Sequence, residues 1–135
     1  MTVLTREQIL AAADLKTEVV SVPEWGGEVI VRALTGYDRD QLEAQVTRLE
    51  GVGRRQRVVT DMRNFRAKLV AASLVDEHGE RMFSEADVDA LGQKNAAALN
   101  RVFEVAQRLS GLSAAEMQEL EKNSASGPRA ASRSA

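Results

Sequence analysis

Catalysis needs a nucleophile, a base or a bound metal, and this sequence of 135 residues is poor in all three. It has no Cys, which removes disulfides, zinc–thiolate centres, iron–sulfur clusters and a thiolate nucleophile. Its one histidine, His78, stands beside Asp76, Glu77 and Glu80. With no second His or Cys to complete a soft-metal shell and no spacing that suits an oxygen-only site, these residues read as a solvated turn around Gly79. Ser and Thr are frequent, but they precede amphipathic segments, where a hydroxyl relieves the orphan N–H groups of a helix start. No Gly-x-Ser-x-Gly elbow occurs, and with the histidine in a turn no hydroxyl has a base. Gly51-Val52-Gly53 lacks both the Gly-Lys-Ser/Thr of a phosphate loop and the third Gly of a dinucleotide loop. It reads as a helix stop. No catalytic, metal or cofactor site is expected, and no enzyme.

Binding chemistry is better represented. Net charge is only -2, yet residues 51–68 carry six basic side chains and one acid, flanked by blocks of net -4 (1–50) and -5 (69–123). The centre of the basic block is Arg54-Arg55-Gln56-Arg57. Guanidinium forks suit phosphate, but no aromatic residues interleave for base stacking and no recognition-helix motif surrounds them. An exposed loop that attracts acidic protein surfaces is the expectation, and nucleic acid is not expected as a partner. Trp25, between Glu24 and Gly26, is either a cover for a core with only four other aromatics or an exposed anchor for a partner; core cover is favoured. Met117 and Leu120 mark a short helix that either docks on the body or grips a partner helix.

The elements that must carry these residues follow from pattern. Thr5-Arg6-Glu7-Gln8 is a capping box opening a short helix with Ile9, Leu10 and Ala13. Thr17–Val22 and Glu28–Leu34 are rich in β-branched residues and enclose Pro23-Glu24-Trp25-Gly26-Gly27, which predicts a hairpin. Val29, Val31 and Ala33 should face one way, and Ile30, Arg32 and Leu34 the other. Thr35 starts a helix with Leu42, Val46 and Leu49 at helical spacing, stopped by Gly51-Val52-Gly53. Val58, Met62, Phe65, Leu69 and Ala72 predict a long helix to about Leu74. Ser84 caps a helix with Val88 and Leu91 inward, ended by Gly92. Asn95 caps Ala96–Ser110, whose stripe of Leu99, Val102, Phe103, Ala106 and Leu109 is the cleanest in the chain. Ser113 caps the last helix. Residues 124–135 contain no large apolar side chain and are expected to be a disordered tail beyond a single domain over 1–123. The fold class is α+β, mainly α-helical: a small N-terminal β-hairpin with four to five helices after it. No apolar run approaches the roughly 18–20 residues of a membrane span, and the first residues lack the pattern of a signal peptide.

One resemblance organises these pieces. The order of Val22-Pro23-Glu24-Trp25-Gly26-Gly27-Glu28-Val29 and Val31-Arg32-Ala33-Leu34-Thr35-Gly36, then Arg66–Ala71, then Asp76–Val88, Leu91-Gly92, the helix Ala96–Leu109 and Ser110-Gly111-Leu112-Ser113, resembles the tail assembly chaperones of long-tailed bacteriophages and prophages. It spans most of residues 3–123. The resemblance implies a non-enzymatic protein of the host bacterial cytoplasm. Its partners would be the tape-measure protein, which it keeps soluble, and tail-tube subunits, which it helps recruit before departing from the finished virion. It also implies a longer form made by ribosomal frameshifting. The charge blocks further allow head-to-tail self-association. A small nucleic-acid-binding regulator using Arg54–Arg57 and a structural tail component are the competing readings.

Overall fold

The computed structural model describes residues 2–112. Within them the chain forms α1 (Arg6–Ala11), β1 (Thr17–Val22), β2 (Gly27–Arg32), α2 (Gly36–Val46), β3 (Thr47–Glu50), β4 (Arg57–Thr60), α3 (Phe65–Ser73), β5 (Leu74–Val75), α4 (Val88–Gly92) and α5 (Ala96–Leu109). The α+β class, mainly helical with a small sheet near the N-terminus, is as the sequence suggests. The helix expected around Met117 and Leu120 and the tail 124–135 lie outside the described residues.

β1 and β2 form the expected hairpin, with Thr17 opposite Arg32 and Val22 opposite Gly27. Pro23–Trp25 make one tight helical turn, and Gly26 at φ 81° reverses the chain in a conformation that favours glycine. β5 joins the other side of β2, so the sheet runs β1-β2-β5, all antiparallel. Its inner face places Val20, Val22, Val31 and Leu74 in the core. Its outer face carries Val19 and Ile30, which oppose one another across the first pair.

α5 lies on the inner face. The Asn95 side chain accepts from the N–H of Ala98 at 3.0 Å, and Gly111 at φ 71° follows the helix end. The expected stripe is the buried one: Leu99, Val102, Phe103 and Ala106 are all in the core, joined by Ala98. Two ion pairs fasten the helix to the hairpin, Arg101 with Glu24 and Arg108 with Glu18. α3 sits between α5 and the rest and is buried nearly all round, with only Arg66 and Lys68 outside the buried set. Phe65 meets Phe103 edge to face, centroids 6.1 Å apart, while the Arg66 guanidinium lies 5.3 Å over the Phe103 ring. α4 closes this layer with Val88 and Leu91, entered through the Ser84–Asp87 capping box.

Two expectations are corrected. The helix starting at Thr35 stops at Val46 rather than at Gly51, and the helix expected from Val58 begins only at Phe65. Between them lies a second hairpin, β3–β4, pairing Thr47 with Thr60 and Glu50 with Arg57. Leu49 is therefore no core residue; it is 61% exposed. Val58-Val59-Thr60 is a β-branched run, and its preference for an extended chain prevails over a helical spacing that one apolar residue per turn only weakly specifies.

The Asp76–Glu80 turn is as expected. The Asp76 carboxylate accepts from the N–H groups of Glu80 and His78 at 3.0 and 2.8 Å, and these bonds hold its carboxyl below the usual carboxylate range. α1 carries the complete Thr5–Gln8 capping box but buries no residue; Ile9 and Leu10 are exposed. Six residues with a good cap and none of them buried is an unusual combination, because so short a helix draws most of its stability from packing.

Candidate functional site

The β3–β4 hairpin stands largely in solvent. From Thr47 to Val58 every residue is exposed except half-buried Glu50. Two-residue alternation gives it two unlike faces. On one, Arg48, Glu50, Arg57 and Val59 lie together. There Arg48 bridges Glu50 at 2.7 Å and Asp61 at 3.2 Å, Arg57 bridges Glu50 at 3.4 Å, and Arg63 grips Asp61 at 2.6 Å. Arg63 together with Arg48 holds the Asp61 carboxyl far below its usual range, the Arg63 hydrogen bonds being the largest cause. The backbone N–H of Asp61 donates to the carbonyl of Val46, which ties the hairpin base to the end of α2. On the other face Leu49 and Val58 oppose one another, 61% and 63% exposed among the described residues.

The tip is built by glycine. Gly51 has φ 92°, and a Cβ placed on it would fall 2.3 Å from the carbonyl oxygen of Arg55. The chain then makes one tight turn over Gly53–Arg55 and lifts Val52, Arg54 and Arg55 into solvent. Gly51-Val52-Gly53 thus shapes a hairpin loop and not a helix stop. The three arginines grouped in sequence are separated by function: Arg57 is engaged by Glu50, whereas Arg54 and Arg55 have no ion pair among the described residues. The signal that could have revealed this surface is a pair of four-residue segments, 47–50 and 57–60, flanking a glycine-bearing loop.

Trp25 lies elsewhere. Its ring is half-buried and packs against the core, and with Phe83, Ala90, Leu91, Asp87 and Lys94 it lines a shallow cleft of about 310 Å³. Its indole Nε1 is buried and has no hydrogen-bond acceptor among the described residues. The neighbouring Glu24 receives two hydrogen bonds from Arg101, at 2.8 and 2.9 Å, which anchor the hairpin turn on α5. Those bonds lower the Glu24 carboxyl from 4.5 to about 2. A carboxyl held below its unfolded value stabilises the fold above that value, and the contribution disappears as pH falls through the folded one. The melting temperature of Glu24→Gln is therefore expected to vary less than that of the wild type between pH 4.5 and 2. Parallel curves would show that the bond adds nothing.

A third surface is the outer face of the main sheet. Val19, Ile30, Val75 and Met82 line a groove of about 600 Å³ together with Glu28, Asp76, Glu77 and His78. Among the described residues no group of His, Cys, Asp and Glu is arranged to hold a metal ion, and no helix is long and apolar enough to cross a membrane. Of the residues singled out in the sequence, Arg54, Arg55 and Arg57 share the hairpin, and Trp25 lines its own cleft. Met117 and Leu120 lie outside the described residues.

Comparison with known proteins gives a consistent answer. Among solved structures, the fold is similar to that of the tail assembly chaperone of bacteriophage HK97, with a TM-score of 0.52 and 19% identity over 76% of this chain and 90% of that one. Curated proteins give no match. The family model for the phage tail assembly chaperone matches residues 5–123, nearly the whole of the sequence whose elements are described above. The chain belongs to the phage tail assembly chaperone family.

Proposed function

We propose that this protein is a transient, non-catalytic chaperone of the tape-measure protein. It works in the host bacterial cytoplasm, keeps that long helical chain soluble, helps gather tail-tube subunits around it, and is not retained in the virion. The observation that carries the reading is the family match over residues 5–123. The β3–β4 hairpin supports it physically. Leu49, Val52 and Val58 offer apolar contact for an amphipathic helix, and Arg54 and Arg55 attract acidic segments from a distance. Both contributions are small and exposed, which suits binding that must later be released. No aromatic side chain neighbours the two arginines in sequence to stack on bases, which favours a protein partner over nucleic acid.

Coexpression tests this directly. With the wild-type chain present, the tape-measure protein should move from the insoluble to the soluble fraction and co-purify with it. The double variant Leu49→Ser/Val58→Ser should fold normally and lose most of that rescue. A tape measure that stays insoluble beside the wild-type chain would refute the proposal, as would finding this protein in purified particles.

A further inference from the structure

The outer face of the β1-β2-β5 sheet is not written for water. An antiparallel sheet covered on one side alternates apolar residues toward the core with polar residues toward solvent. Here Val20, Val22 and Val31 take the core side, yet the other side is apolar as well. Val19 lies opposite Ile30, and Ile30 opposite Val75, so one apolar row crosses the whole sheet. Met82, whose N–H donates to the carbonyl of Leu74, lines the same groove. Val19 is 58% exposed and Met82 53%. α1 does not shield them, since none of its residues is buried.

The groove is also acidic. Glu28 and Glu77 line it, exposed and without an ion pair among the described residues. Asp76 adds a third carboxylate, fixed by the N–H groups of its own turn. No Lys or Arg lines the groove, and His78 is the one other titratable side chain there. Arg32, two residues beyond Ile30, is committed elsewhere: it donates to the Gly79 carbonyl and pairs with Asp38.

We infer that this groove is a docking site for a basic amphipathic helix of another protein. A bare apolar sheet face is completed by a helix laid across it, as α5 completes the inner face, and the uncompensated carboxylates select positive charge at the helix margins. The chain's own segments do not match. α1 balances Arg6 with Glu7, and residues 113–123 bring Glu116, Glu119 and Glu121 against Lys122. Residues 124–135 carry Arg129 and Arg133 but no large apolar side chain, and α3, with Arg66 and Lys68, is committed to the core. The inference is independent of the hairpin reading, since the groove shares no residue with the β3–β4 sheet.

Two model peptides test it on the full-length chain. Both are helical with leucine on one face; one carries lysine on the other face and its twin carries glutamate. The lysine peptide should bind, lose affinity as salt rises, and shift the amide resonances of residues 17–30 and 74–82. The glutamate peptide should not bind. Glu28→Lys/Glu77→Lys should weaken the lysine peptide by at least about tenfold. Val19→Thr/Met82→Gln, which keeps the fold and removes apolar contact, should weaken it as well. Asp40→Lys/Glu85→Lys makes the same change of charge outside the groove and should bind like the wild type. So should Leu49→Ser/Val58→Ser, which separates this inference from the tape-measure reading. Equal binding of the two peptides, shifts centred on another surface, or equal losses in the two charge reversals would overturn the proposal. Shifts of the groove amides with protein concentration alone would show a second copy in it, and contacts from residues 1–16 or 113–135 in the free chain would show that the protein covers the face itself; either result overturns it too.

Discussion

Leu69→Ala should lower the free energy of unfolding by about 2–5 kcal/mol, the range for deleting a large buried aliphatic side chain and leaving a cavity. Leu69 has no exposed surface and sits midway along α3, the helix that buries seven of its nine residues. α3 packs against α5, α4 and α2, so filling the space would require several elements to move together. Against a total stability of about 5–15 kcal/mol for a domain of this size, such a loss removes a large share of the folded margin. Urea unfolding should show a lower midpoint with an unchanged slope. Leu49→Ala, the same change of side chain at a position 61% exposed, should alter stability by under about 0.5 kcal/mol. Equal effects at the two sites would mean that α3 is not the centre of the fold.

That contrast also marks what could be read from the chain. Helix starts are legible because they are local chemistry: the Thr5, Thr35 and Asn95 side chains each accept from a backbone N–H three residues on, and the Asp87 carboxylate accepts from the N–H of Ser84. The first hairpin was legible from its β-branched strands and its Pro and Gly-Gly turn. α5 was legible because one face is buried and the other is wet. α3 offers no such contrast, since Val70 and Ala71 are buried beside Leu69, and burial all round erases the stripe that marks a helix edge. The β3–β4 hairpin was hidden for another reason. Val46 and Leu49 fall three residues apart, a spacing that a helix end and a helix-to-strand junction share. β5 consists of two residues whose role is fixed by pairing with Ile30 and Val31, far earlier in the chain. The ion pairs of Arg101 with Glu24 and Arg108 with Glu18 span 77 and 90 residues, a distance at which charge in the sequence does not choose its partner. Of the candidate site, the arginine cluster is visible in the sequence, but the apolar face of Leu49 and Val58 is not, because Leu49 continues the helical spacing of Leu42 and Val46.

Gly51→Ala should disable the hairpin while sparing the body. The added methyl would stand 2.3 Å from the Arg55 carbonyl oxygen, on a backbone at φ 92° that side chains rarely adopt. The clash is with backbone and cannot be relieved by a rotamer change. A two-stranded hairpin is only marginally stable by itself, so a penalty of even about 2 kcal/mol is enough to open it. Amide exchange over residues 47–60 should become fast while amides of α3 and α5 stay protected. Tape-measure solubilisation should be lost, because Leu49, Val58, Arg54 and Arg55 no longer share one surface. Gly53→Ala serves as the control: its φ of 60° is strained for alanine, but the added carbon would meet open space, so a milder effect is expected. Undiminished protection of residues 47–60 in Gly51→Ala would show that the loop can be rebuilt without glycine.

Trp25 is the single tryptophan of the chain, held half-buried against the core beside Phe83 and Leu91, with Lys94 at the margin of the same cleft. Its emission therefore originates from one known address, about which nothing need be disentangled. Any molecule that enters that cleft, or any loosening of the Glu24–Arg101 clasp next to it, changes the surroundings of this one indole. The protein thus carries its own optical gauge of events at that cleft, read without a label.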